Sequence, residues 1–204
     1  VTLAVFRNQG PLAREVPPGV RLHVLEPSNS LVGRALAFQA APSSLAQMAK
    51  PVLLTTKADR TIDYLPNLTR LFRDEEPDAV VAAMPYVNLV ALWARSLAGS
   101  RARVLVMEHI EISHFLGERK GWRHRYLLPL IRKSYLAAEV IGAVSNGVAD
   151  DLACSSGIDR KFVRVIYNPV VTDEMLAVAD QPVEHPWFST NGPPVVLSVG
   201  RLAE

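Results

Sequence analysis

Between Ala79 and Tyr167 the chain repeats one pattern: a short apolar run, then a single helix-like segment, then another apolar run. The runs are Ala79–Met84 (AVVAAM), Arg103–Met107 (RVLVM), Val140–Val144 (VIGAV) and Val163–Tyr167 (VRVIY). The segments between them read as helices: Asn88–Leu97 closing on Gly99, Trp122–Tyr135 with Tyr126, Leu127, Leu130 and Ile131 inward, and Gly147–Cys154 ending near Gly157. A strand that is apolar throughout must be covered on both faces, and strands separated by single helices pair in parallel. With right-handed crossovers the expectation is an α/β fold with a doubly wound, Rossmann-like parallel sheet.

Upstream, Thr2–Phe6 (TLAVF) reads as a short buried strand, and Arg21–Leu25 (RLHVL) has the two-residue period of another. Leu31–Thr56 is alanine-rich and favours helix, broken at Pro42 and Pro51. Ile62, Leu65, Leu68, Leu71 and Phe72 mark an amphipathic helix that ends near Pro77. Downstream, Pro182, Pro186, Gly192, Pro193 and Pro194 form a linker signature. Beyond it Val195–Val199 (VVLSV) reads as a strand. The expected organisation is a Rossmann-like domain over 1–180, a linker over 181–194, and over 195–204 the first strand of a truncated second domain.

A hydrophobic share of 49% and a charged share of 21% suit a globular core rather than a disordered chain. A net charge of +2 is too small to argue for nucleic acid, and none is expected as a partner. The most apolar stretch, Ala79–Ala94, is interrupted by Pro85, Tyr86 and Asn88, short of the roughly 20 clean residues of a membrane span. The single Cys154 excludes an internal disulfide, reads as packing on an apolar helix side, and fits a reducing, cytoplasmic compartment.

Ligands of such sheets gather beyond the carboxyl ends of the strands. The residues there are Met84–Asn88, Glu108-His109, Ser145-Asn146-Gly147, Asn168-Pro169 and Gly200-Arg201. Ser145 or Asn146 equally suits capping of the helix that follows, Asn88 its own helix, and Asn168-Pro169 a turn. Glu108-His109 is the sharpest pair: a carboxylate and an imidazole at one strand end can orient a sugar hydroxyl. No HExxH, CxxC or DxD spacing points to a metal, no GxSxG to a serine nucleophile, and no glycine-rich phosphate loop follows a strand.

Several segments together resemble family-four glycosyltransferases: Ala138–Leu152 (AEVIGAVSNGVADDL), Val165–Val171 (VIYNPVV), His185-Pro186-Trp187 and Pro193–Leu202 (PPVVLSVGRL). Glu76–Gly99 followed by Val104–Ser113 (VLVMEHIEIS) is similar to the same family's earlier segments. The resemblance implies the N-terminal, acceptor-side domain of a GT-B enzyme, with a facing domain that holds a nucleotide-sugar donor. It implies transfer with retention, without an obligatory metal and with no cofactor; a glycan or lipid-linked acceptor of envelope polysaccharide synthesis is the expectation that membrane contact by the basic cluster of Arg119–Lys133 would add. His109 matches the histidine that reaches the transferred sugar, and the Gly200-Arg201 pair the arginine that neutralises the donor diphosphate. Ser145 and Asn168 join the donor side; Asn88, Glu108 and Ser113 are expected on the acceptor side. The family's opening strand and glycine-rich loop are expected before Val1, and the second half of the diphosphate clamp after Glu204, so this stretch alone is expected to be inactive.

Arg119, Lys120, Arg123, Arg125, Arg132 and Lys133 gather around Trp122 and Tyr126. That cluster, Arg119–Lys133, suits a solvated helix face, or contact with an anionic membrane surface on the inner side of the cell membrane. Two other readings stay open: a GT-B sugar-nucleotide epimerase, and a non-enzymatic α/β ligand-binding module.

Overall fold

The structure is a computed structural model that describes residues 1–9, 14–49, 52, 60–116, 122–183, 185–188 and 194–198. Its alternating segments form an all-parallel α/β architecture of the Rossmann-like class. β1 (Thr2–Val5) and β2 (Arg21–Val24) pair as one two-stranded parallel sheet. β3 (Ala79–Ala83), β4 (Arg103–Glu108), β5 (Val140–Ala143) and β6 (Val163–Val165) form a second parallel sheet, ordered as in the sequence. Six of the expected strands thus form, each one or two residues shorter at its carboxyl end or, for β4, one longer.

Sequential order has a consequence. Every right-handed crossover returns on the same side, so the connecting helices collect on one face of the four-stranded sheet. They are α4 (Pro85–Ala98), α6 (Trp122–Tyr135) and α7 (Asn146–Ser156). The register puts Val104, Val106 and Glu108 of β4 on that face, beside Val80, Ala82, Ile141 and Ala143, and β4's three are fully buried. The opposite face carries Val81, which is 68% exposed, and the exposed Arg164. Also on that face, Met107 lies over Gly142, where a Cβ would stand 2.2 Å from the Met107 sulfur. The described strands and helices therefore make up one winding of the doubly wound arrangement.

Helix ends follow ordinary capping chemistry. α4 starts on Pro85, whose missing N–H costs nothing at that position, and stops at Gly99 in the left-handed region. α3 (Leu65–Glu75) buries Leu65, Leu68 and Phe72 at helical spacing against α4. The alanine-rich stretch forms α1 (Ser30–Ala40), a 3-10 turn at Pro42–Ser44 and α2 (Leu45–Met48). Gly33 of α1 is required by close approach, because a Cβ there would lie 2.4 Å from the Ile62 carbonyl oxygen. A short α5 (Ile112–Leu116) follows β4; the sequence pattern had not marked it.

Two expectations are corrected. β1 is exposed rather than buried, with Leu3 at 43%, because its one strand neighbour is β2 and no described helix covers it. Cys154 is exposed, pointing away from the buried stripe of Val148, Ala149 and Leu152. Residues 195–198 carry no strand assignment, and residues 199–204 of the expected second-domain strand lie outside the described residues.

The chain divides into two compact units, Val1–Tyr167 and Asn168–Glu204. The second unit holds α8 (Asp173–Ala179), whose first turn is capped by Thr172, and leaves Trp187, Phe188 and Val196 exposed.

Candidate functional site

The carboxyl ends of β3, β4 and β5 form one rim. At the end of β3, Met84 takes a φ of 83°, a left-handed conformation rare for a residue with a side chain. Its N–H donates to Met107 O at 3.2 Å, and its carbonyl accepts from Asn88 N at 2.9 Å, so the turn is fixed on both sides. Val144 N donates to Glu108 O at 3.1 Å, which brings the ends of β4 and β5 side by side. His109 and Ser145, the residues that follow, are thereby held at neighbouring positions; His109 is exposed and Ser145 half-buried. Ser145 Oγ accepts from Val148 N at 3.2 Å, so the serine is the N-cap of α7. Ser113 is exposed on α5, and its backbone N–H donates to Asp151 Oδ2 at 3.0 Å, tying α5 to α7.

Behind His109 lies a polar cluster with no exposed surface. Asn88 of α4, Glu108 of β4 and Tyr135 of α6 are each 0% exposed. Asn88 Nδ2 lies 3.0 Å from Met107 O, 3.1 Å from Glu108 Oε1 and 3.0 Å from the Tyr135 hydroxyl. The Tyr135 hydroxyl donates to Glu108 Oε1 in a short hydrogen bond. Burial pushes the Glu108 carboxyl up to about 7, although its hydrogen bonds from Tyr135 and Asn88 favour the anion. Burial likewise raises the Tyr135 phenol well above its ordinary range, and the adjacent carboxyl adds to that.

Two atoms of this cluster, Asn88 Oδ1 and Glu108 Oε2, are buried without a hydrogen-bond partner. Two acceptors cannot satisfy one another. A protonated carboxyl has a donor that a carboxylate lacks, and an amide paired edge to edge with an acid exchanges one N–H···O and one O–H···O bond. The N–H···O bond from Asn88 to Glu108 Oε1 is in place, and a protonated Glu108 brings a donor to a cluster that holds two buried acceptors without one. The arrangement therefore suits a neutral Glu108.

Asn88 and Glu108, expected on the acceptor side, hold the rim from behind in this structure and present nothing to solvent. Asn168 is exposed and opens the second compact unit. Gly200 and Arg201 lie outside the described residues, as do Arg119 and Lys120 of the basic cluster; Lys133 Nζ donates to Ser43 O at 2.6 Å. Among the described residues no acidic, histidine or cysteine group could hold a metal, and no helix is long and apolar enough to cross a membrane.

Sequence reasoning missed two features. Tyr135 follows Ile131 on the buried stripe of α6, and a phenol on such a stripe must find a partner; that rule could have paired it with Glu108. The other is a crevice of about 430 Å³ beyond β1 and β2, lined by Phe6, Arg7, Gln9, Pro27, Arg60, Asp63 and Tyr64. A larger cavity, about 590 Å³, opens among Pro77, Asp78 and Arg101–Arg103, at the amino ends of β3 and β4 and so at the edge opposite the rim.

Residues 1–174 match the family model described as Glycosyltransferase Family 4. The chain belongs to glycosyltransferase family 4. Among solved structures, this family-four chain is similar to the apo form of the lipopolysaccharide outer core galactosyltransferase WaaB, at 16% identity and a TM-score of 0.41. The likeness covers 68% of the chain and 42% of that protein, so the chain spans less than half of its length. No curated protein matches the chain significantly.

Proposed function

We propose that this family-four chain supplies the acceptor-side wall of a retaining glycosyltransferase that uses a nucleotide-sugar donor and a glycan or lipid-linked acceptor. The observation that carries the reading is His109: an exposed imidazole at the carboxyl end of β4, next to Ser145 at the end of β5, within the segment matched by the family model. An imidazole there can hydrogen-bond a hydroxyl of the transferred sugar while the donor diphosphate departs. The developing negative charge on that diphosphate calls for fixed donors, which is the role assigned to Arg201, with Gly200 allowing close approach. Ser145 and Asn168 belong to the donor side, Ser113 to the acceptor side. Asn88 and Glu108 act as positioning residues, fixing the strand end that bears His109.

The reaction in this reading needs no metal and no cofactor. The setting is envelope polysaccharide synthesis in the cytoplasm, with Arg119–Lys133 resting on an anionic inner membrane face.

The experiment is transfer of label from a panel of radiolabelled nucleotide sugars to membrane or glycan extracts by the intact natural protein, with the product anomer assigned by NMR. Labelled product of the donor's own anomeric configuration is expected. Inverted product, or donor consumed in the absence of any acceptor to give an epimer, overturns the reading.

A further inference from the structure

We propose that the crevice beyond β1 and β2 is a subsite for a phosphate group carried by the acceptor, bound by Arg7 and Arg60. This rests on the glycosyltransferase reading and names the chemistry of the acceptor it would take.

Position is the first argument. β1 ends at Val5 and β2 at Val24; Phe6 and Arg7 come next after β1 and Pro27 three residues after β2, so the crevice occupies the carboxyl-end edge where parallel sheets bind ligands. Its volume of about 430 Å³ lies within the range of small-molecule sites.

The two arginines come from distant parts of the chain and are brought to one place by specific contacts. Phe6 stacks on Tyr64, with ring centroids 4.3 Å apart, so the residue after β1 is packed on the 3-10 turn Arg60–Tyr64. Ser28 N donates to Asp63 O at 2.8 Å, and Ser30 Oγ to Asp63 Oδ1 at 2.6 Å, which ties the segment after β2 to the same turn. Arg7 follows one member of the stack, and Arg60 begins the turn that holds the other.

Charge decides what fits. Both guanidinium groups are exposed, and neither forms an ion pair among the described residues. The carboxylate in the crevice, Asp63, is engaged by Ser30. Two arginines and one carboxylate among the lining residues leave a net positive charge, and Gln9 adds an uncharged amide. Guanidinium forks match phosphate oxygens two at a time, so a phosphorylated sugar or polyol fits better than a neutral one.

The test uses the 204-residue chain with glucose 6-phosphate and glucose as probes, followed by the Nε–Hε NMR signals of Arg7 and Arg60. Glucose 6-phosphate is expected to shift both signals saturably and glucose to leave them in place. Arg7→Gln and Arg60→Gln should each weaken glucose 6-phosphate binding about tenfold, the usual size for one charge-assisted contact. Arg101→Gln, which removes the same charge at the amino-end cavity, should leave it unchanged. Equal binding of the two sugars, absence of binding, or an equal loss in Arg101→Gln overturns the subsite. None of these touches the transfer reading, which the label-transfer assay tests separately.

Discussion

Replacing Glu108 with Gln should remove a pH dependence of stability that the wild-type chain carries. In the unfolded chain this carboxyl ionises near 4.5, and in the fold, burial holds it up to about 7. Between those values the folded state binds more protons than the unfolded state, so stability falls as pH rises. The contribution is intact below pH 4.5 and is lost as the pH passes through about 7. At 1.36 kcal/mol per decade the full loss is roughly 3 kcal/mol, most of it between pH 5 and pH 8. Gln has the shape of the neutral acid and offers an N–H where the acid offers an O–H, but it does not titrate. Urea unfolding at intervals from pH 5 to pH 8 measures both proteins. Other titrating groups are common to the two and cancel in the difference. The wild-type curve should fall below the Glu108→Gln curve by roughly 2 to 3 kcal/mol on going from pH 5 to pH 8. Parallel curves would refute the neutral-acid argument. Tyr135→Phe sharpens the test: the Tyr135 hydrogen bond favours the anion, so its loss should move the transition to higher pH.

Two further changes probe the frame around the rim. Gly33→Ala forces a Cβ to 2.4 Å from the Ile62 carbonyl oxygen, a backbone atom that cannot swing aside, and should cost about 3 kcal/mol in urea unfolding. Ser145→Ala removes the cap of α7 and should cost about 1 kcal/mol, whereas Ser145→Gly should cost a few tenths. If Ser145 also contacts the donor, both variants raise the donor KM in the intact protein by more than the stability loss explains.

The four-stranded sheet was legible because its strands are short, largely apolar runs separated by helical segments. What the pattern could not show is which side the helices take, since that follows from strand order, and order is a tertiary property. β1 misled for a related reason: TLAVF has the composition of a buried strand, but burial depends on neighbours. The site was half legible. Position after a strand singled out His109 and Ser145, and both stand on the rim. The same rule marked Asn88 and Glu108 without showing that they face the helices: β4 is apolar at both parities, so only the observed helix side places Glu108, with Val104 and Val106, inside. Tyr135 and the Arg7–Arg60 crevice depend on contacts between distant segments, which no local spacing records.

The central claim is that His109, exposed above a buried Glu108 cluster, faces the sugar being transferred. The direct measurement is kcat for His109→Ala in the intact natural protein, with unfolding in urea followed alongside. An exposed side chain should leave stability within about 0.5 kcal/mol of wild type. Loss of a sugar-facing imidazole should lower kcat by about a hundredfold or more. A variant of unchanged stability that transfers sugar at the wild-type rate contradicts the account.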